Sequence, residues 1–296
     1  MNTTSSLTPE LLKLGPLRLP RPALLGVLNV TPDSFSDGGH YHSIDRAVEH
    51  AIALEQAGAD VIDVGGESTR PGAAPVSETV ELARVLPVVK QLAEALTIPV
   101  SVDTSSPAVM AESLAAGAAM INDVRALQRP GTLSVLADSD AAVCLMHMQG
   151  QPGSMQDRPE YQGVVEDVLT FLKSRLAACR AAGIDHERLA VDPGFGFGKT
   201  LQHNLTLLAN LDAVKSLGAP VLVGVSRKSM FDQLLGRAVD ERLAGTLAAG
   251  LLAVQSGADI LRVHDVAEHR DVRCVMKAVA NHRVHPANTA ATGRDQ

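Results

Sequence analysis

Aspartates, amides and cations recur at one kind of place in this chain, directly after short apolar runs. Asp103 closes PVSVD, Asn122 and Asp123 close MIND, and Asp192 closes LAVD. A carboxylate or amide at such a point faces a partly buried pocket, where it must find a hydrogen-bonding partner or cost a few kcal/mol. A ligand is one such partner; a network of neighbouring side chains or a helix cap is another. Lys228 stands in VGVSRKSM, between Arg227 and Ser229, and ILRVHDV carries Arg262 and His264 two residues apart. On a strand that spacing points both to the same side. Two cationic or donor groups together suit an oxygen-rich anion such as phosphate. An arginine paired with a nearby acid such as Asp265, beside a core histidine, fits the same spacing. Taken together, Asp103, Asn122 and Asp192 can accept from a nitrogen-rich ring, Lys228 can donate to ring acceptors, and Arg262 with His264 can hold an anion. The ligand implied has a planar polar head and a phosphate tail.

Three loops add to this. Asn29 to Gly39 reads NVTPDSFSDGG, with turn formers and the carboxylates Asp33 and Asp37; its eleven residues are long for a connection from strand to helix. Gly65 to Ala73, GGESTRPGA, combines Ser68, Thr69 and Arg70 ahead of Pro71, a set suited to gripping an anion and equally to helix capping with a surface ion pair. Val191 to Thr200, VDPGFGFGKT, ends like a phosphate-binding loop, but Pro193 stands where that loop needs its first glycine, and Gly194, Gly196 and Gly198 do not match dinucleotide spacing. What remains is Asp192 beside a glycine segment that lets a flat ligand approach the backbone.

The elements that must position these groups follow from periodicity. Strands are predicted at Leu24 to Leu28, Asp60 to Val64, Pro99 to Val102, Met120 to Asn122, Ala142 to Met146, Leu189 to Val191, Val221 to Val225 and Ile260 to Val263. Helical patterns run from Ser43 to Ala57, Ser77 to Ala95, Pro107 to Ala115, Val164 to Ala182, Asn204 to Leu217, Glu241 to Gln255 and Val266 to Ala280, and the connection between strands four and five is the weakest. Eight such units admit a closed barrel or a doubly wound open sheet. Nearly every strand ends in a polar residue or a glycine-rich loop, which favours the barrel, because a barrel collects its site from all its strand ends. The expected fold is therefore α/β, a single (β/α)₈ TIM barrel spanning residues 21–282 with long loops after strands one and two. Residues 1–20 are expected to be a flexible extension and 283–296 a flexible tail.

Composition narrows the partners. The chain has 296 residues, 46% of them hydrophobic, with no Trp, two Tyr and five Phe, so the core is expected to be aliphatic. A net charge of −7 and the lack of aromatic clusters argue against nucleic acid. Cys144, Cys179 and Cys274 lie far apart and suggest buried, reduced thiols. No apolar run approaches the roughly 18 residues that cross a bilayer, and no signal sequence is visible, so the cytoplasm is the expected location.

These motifs resemble one family closely. NVTPDSFSDGG, GGESTRPG, DPGFGFGK and SRKS followed by RVHD are similar to the loops of dihydropteroate synthases, over about residues 22 to 282. The resemblance implies a transferase of folate biosynthesis that condenses (7,8-dihydropterin-6-yl)methyl diphosphate with 4-aminobenzoate, losing diphosphate by a dissociative displacement. It implies a pterin pocket of Asp103, Asn122, Met146, Asp192, Phe197, Gly224 and Lys228, and a diphosphate site of Asn29, Arg70, Arg262 and His264 with Mg²⁺ on Asn29. Phe35, Thr69, Arg70, Pro71 and Ser229 would shape the aminobenzoate pocket, where sulfonamides bind in this family. Asp103, Asp192, Lys228, Arg262 and His264 would act in catalysis, and the protein would be a homodimer. A pterin-dependent methyltransferase would need neither STRPG nor SRKS, and a non-catalytic pterin-binding paralogue would have lost Asp33, Phe35, Thr69, Arg70 and Ser229.

Overall fold

The structure is a computed structural model that describes residues 11–31, 39–67, 76–151 and 153–282. It opens with two short strands, β1 (Leu12–Leu14) and β2 (Leu17–Leu19), paired antiparallel. Then β3 (Ala23–Asn29), α1 (Gly39–Ala57), β4 (Val61–Gly65), α2 (Glu78–Ala95), β5 (Val100–Asp103), α3 (Pro107–Ala115) and β6 (Met120–Asp123) alternate along the chain. They are followed by α4 (Thr132–Ala137), β7 (Ala142–Met146), α5 (Val164–Ala181), β8 (Leu189–Asp192), α6 (Leu201–Ala209) and α7 (Leu211–Lys215). The last elements are β9 (Leu222–Val223), α8 (Met230–Leu235), α9 (Leu243–Gln255), β10 (Ile260–Val263) and α10 (Val266–Asn281).

The eight strands after the hairpin are parallel in the order β8-β7-β6-β5-β4-β3-β10-β9, and a single bridge between Val191 and Val221 brings β8 back to the edge of β9. That is the expected barrel. Side chains alternate across its wall. Leu24, Leu28, Ile62, Val64, Val102 and Ile121 pack outward with the helices, whereas Ala23, Leu25, Val61, Met120, Ala142, Cys144, Ala190, Leu222 and Ile260 form a separate inner cluster. Leu12, Leu14, Leu17 and Leu19 belong to that inner cluster and are buried. Residues 11–19 are therefore no flexible extension. They are an ordered hairpin whose LKL and LRL runs send leucines inward and Lys13 and Arg18 outward.

The helices begin where local chemistry allows. Ser77 and Ser106 cap α2 and α3 by accepting from Val80 N–H and Val109 N–H, and Pro107 supplies a first-turn residue that needs no donor. Thr200 and His203 form a reciprocal capping box on α6, and the chain breaks at Asn210, so the single expected helix from Asn204 to Leu217 is two short ones beginning at Leu201. The strand expected over Val221 to Val225 keeps only Leu222–Val223 as its ladder. Of the three thiols, Cys144 and Cys179 are buried, while Cys274 is exposed on α10 rather than in the core.

Candidate active site

Continuing the inward alternation of each strand beyond the apolar layers places charged and amide groups on the axis of the barrel. Asp63 of β4 is completely buried. Its Oδ2 accepts from Arg262 Nε on β10 at 2.6 Å and from Asn122 Nδ2 on β6 at 3.3 Å. Arg262 Nη2 also donates to Asp103 Oδ2 on β5 at 3.0 Å. One guanidinium thus spans two carboxylates from strands distant in sequence, and the bonds are charge-assisted. Burial pushes Asp103 up to about 7; Arg262 opposes the rise, and the charge of Asp63 adds to it. Burial also works against the charge on Arg262, but Asp63 and Asp103 outweigh it and hold the guanidinium above its ordinary value. Among the described residues, Asp63 Oδ1 and Asn122 Oδ1 are buried acceptors with no donor.

Asp192, at the end of β8, is buried and accepts from Gly194 N–H at 2.7 Å. Burial raises its pKa against the pull of Lys228. Lys228 reaches the same space from the segment after β9: its Nζ donates to the Phe195 carbonyl and sits 4.5 Å from the centre of the Phe197 ring. Burial lowers Lys228 to about 8, with Asp192 opposing. Met146 is buried at the end of β7, in register with Asp192. Gly224 leaves room beside Arg262, whose Cβ would lie 3.7 Å from any Cβ built there. The structure therefore brings Asp103, Asn122, Met146, Asp192, Phe197, Gly224, Lys228 and Arg262 to one end of the barrel.

His264 follows β10, half-buried, with Nδ1 3.0 Å from Ser226 Oγ, and its own N–H donates to that oxygen. The acid Asp265 pairs with Arg227, not with Arg262. Asn29 ends β3 half-buried, its Oδ1 3.6 Å from where a Cβ on Gly65 would stand. Ser229 is exposed at the start of α8. Phe35, Thr69, Arg70 and Pro71, with Asp33, Asp37 and Ser68, lie outside the described residues. Asp123 takes no part in the cluster: it accepts from Arg125 N–H, Leu127 N–H and Ser105 Oγ and so fixes the turn after β6. A cavity of about 350 Å³ beside the mouth is lined by Arg125, Gln128, Met148 and Phe171 among others, and none of the axial cluster lines it.

Asp63, Lys199 and His147 are site residues that the sequence reading misses. Asp63 had a signal, a carboxylate inside the apolar run VIDV, where a strand at the centre of a barrel must give it a partner. The other two are visible only through contacts: Lys199 Nζ is 2.9 Å from His147 Nδ1 across 52 residues of sequence.

Residues 25–264 match the model of the pterin binding enzyme family. The chain is 51% identical over 262 residues to the dihydropteroate synthase of Escherichia coli (strain K12), covering 88% of this chain and 93% of that one. Among solved structures, Xanthomonas albilineans dihydropteroate synthase with 4-aminobenzoic acid superposes with a TM-score of 0.85 at 50% identity, covering 90% of this chain and 96% of that one. The same enzyme in complex with 7,8-dihydropteroate gives a TM-score of 0.80 at 44% identity, with 89% and 94% covered.

Proposed function

This chain belongs to the pterin-binding enzymes and, within them, to the dihydropteroate synthases; from that premise we propose how its residues carry the reaction. It is a transferase that makes dihydropteroate, a step of folate synthesis. The axial cluster is the pterin site. The observation that carries this reading is the pair of buried acceptors without donors, Asp63 Oδ1 and Asn122 Oδ1. Leaving such atoms unpaired costs about 1–3 kcal/mol each, and the amino and ring N–H groups of a pterin are the donors they lack. Asp192 and Asp103 accept further ring protons, Lys228 leaves the Phe195 carbonyl to donate to a ring acceptor, and Phe197, Met146 and Gly224 line the slot.

Bond cleavage separates charge. As diphosphate departs with the bonding pair, the pterin methylene becomes electron-poor and the leaving group gains negative charge. Asp63, Asp103 and Asp192 face Arg262 and Lys228, a surplus of carboxylates that suits a cationic pterin. Arg262 has five N–H donors and uses two on carboxylates, so it can also hold the diphosphate with His264, Asn29 and Arg70. The neutral arylamine of 4-aminobenzoate, its ring held by Phe35, Thr69, Pro71 and Ser229, then attacks the methylene, and the new C–N bond is completed as the nitrogen loses a proton to solvent.

Magnesium fits this end of the barrel in one respect. Among the described residues no group of three or more His, Cys, Asp or Glu could hold a metal, but Asn29 offers an amide oxygen beside Gly65 at the end of its strand. Mg²⁺ is commonly bound through one or two protein oxygens, water and substrate phosphates. Bound there, it would neutralise charge on the diphosphate. We also read the barrel, residues 21–282, as the catalytic domain, the cytoplasm as its location and a homodimer as its assembly, with exposed Leu252, Val275 and Val279 as candidate contacts. No described helix is long and apolar enough to cross a membrane.

The test is formation of dihydropteroate and diphosphate by the purified protein with Mg²⁺, with and without 4-aminobenzoate, repeated for Arg262→Ala. Product that needs every component, with kcat/KM falling roughly 100-fold or more in the variant, is expected. Pterin binding without condensation to any arylamine would sink the mechanism, and wild-type rates in Arg262→Ala would remove Arg262 from it.

A further inference from the structure

The segment from Gly194 to Gly198 departs from ordinary backbone. Gly194, Gly196 and Gly198 have φ of +72°, +77° and +62°, a region open mainly to glycine. Such a chain is free to take many shapes, and here one shape is held from outside. Each carbonyl from 194 to 198 accepts from a side chain. Tyr161 OH donates to Gly198 O at 2.8 Å, Gln156 Nε2 donates to Gly196 O, and Lys228 donates to Phe195 O. The remaining two, Gly194 O and Phe197 O, belong to Lys199, whose Nζ donates to them at 2.9 and 3.0 Å.

Lys199 is unusual among these donors. It is 3% exposed, and its third contact is His147 Nδ1 at 2.9 Å. His147 is itself buried and packs edge-on against Phe171, with ring centres 5.0 Å apart. Three acceptors thus surround an ammonium with three N–H groups, and none of its hydrogen-bond partners is a carboxylate. Burial drives His147 down to about 3, which leaves a neutral imidazole free to accept at Nδ1. Taking a lysine into such a place is costly. The glycine segment carries Phe197, and Gly194, whose carbonyl Lys199 holds, donates its N–H to Asp192.

We propose that Lys199, seated on His147, is a positioning residue for the pterin site, fixing the glycine segment so that Phe197 and Asp192 are arranged before the pterin arrives. The inference rests on the reading of Asp192 and Phe197 as pterin-binding. Without Lys199, Gly194 O and Phe197 O lose their donor, and the entropy of ordering that part of the segment falls on ligand binding instead. The effect belongs to pterin affinity, because aminobenzoate and the departing diphosphate meet other loops.

The experiment measures binding of the pterin diphosphate without aminobenzoate, then steady-state kinetics, for wild type, Lys199→Met, His147→Leu and Asp192→Asn, each checked for folding by circular dichroism. Lys199→Met is expected to weaken pterin binding and raise the pterin KM roughly tenfold or more, the scale of one charge-assisted hydrogen bond. At saturating pterin, kcat and the aminobenzoate KM are expected within about threefold of wild type, the pattern of lost uniform binding. His147→Leu, which removes one of three contacts, is expected to act in the same direction more weakly. It replaces Lys199→Met as the deciding variant should the latter not fold. Unchanged pterin affinity in the deciding variant, or a parallel rise in the aminobenzoate KM, overturns the proposal. Unchanged affinity in Asp192→Asn overturns instead the pterin reading beneath it.

Discussion

Replacing Asp63 by asparagine removes one negative charge from the axis of the barrel and little volume. The carboxylate it replaces accepts from Arg262 Nε at 2.6 Å with no exposure to water. Hydrogen bonds to charged groups contribute about 1.5–3 kcal/mol. The amide keeps one oxygen for Arg262, and its new NH₂ can donate to Asn122 Oδ1, which has no donor among the described residues. The net cost expected is therefore about 1–2 kcal/mol, a fall in Tm of roughly 2–4 °C per kcal/mol. The more telling effect is electrostatic. The charge of Asp63 is among the causes that hold Asp103 up at about 7, so its removal lowers Asp103. If ionised Asp103 receives the pterin protons, the acidic limb of kcat/KM for the pterin diphosphate moves to lower pH, by about one pH unit for a nearby charge worth about 1.4 kcal/mol. The assay is a pH profile of kcat/KM at saturating aminobenzoate, with Tm as the control. An acidic limb that stays in place, or moves upward, refutes the account of Asp63 and Asp103 as coupled through Arg262.

Burial holds Lys199 down to about 7, against ~10.4 for lysine in an unfolded chain. Between those values the unfolded state binds more protons, so this position's contribution to stability improves as pH rises from about 7 and is at its worst below it. Melts at pH 7 and 9 should show wild type gaining Tm relative to Lys199→Met; an equal difference at both pH values contradicts the buried charge. Gly194→Ala should cost more than about 2 kcal/mol in urea unfolding and weaken pterin binding, since a Cβ there meets the His147 carbonyl at a left-handed φ; near-wild-type behaviour would show that the segment tolerates another shape. Leu14→Ala, at a completely buried hairpin position, should lose about 2–5 kcal/mol without changing the pterin KM, and a loss under 0.5 kcal/mol would mean the hairpin does not plug the barrel.

The parts of this fold that were legible in sequence are those with a long-range period or a chemical oddity. The strand Ala142–Met146 is bounded in sequence as it is in the structure because a buried parallel strand is an uninterrupted apolar run between turns. The polar residues at strand ends pointed to the mouth of a barrel because side chains alternate with a fixed period of two. The hairpin of residues 11–19 escaped notice because three residues per strand, in LKL and LRL, are too few for alternation to stand out from a coil. Arg262 was placed on the right face, but its two carboxylate partners come from residues 159 and 199 positions away, and no local pattern encodes such a pairing. For the same reason Lys199 looked like the tail of a failed phosphate loop: its partner His147 belongs to another strand end.

The barrel wall is uneven around its circumference. Strand pairs from β3 to β8 share three to five residue partners each, while β8 and β9 meet at the single bridge between Val191 and Val221. Asp192 and Lys228 extend from the two sides of that seam. A ligand gripped by both is a clasp on an otherwise weakly fastened ring, so filling the pocket and closing the wall become one equilibrium. Occupancy should then slow amide exchange at Val191, which donates to Pro220 across the seam, more than at Val102 or Ile121 on the well-laddered side.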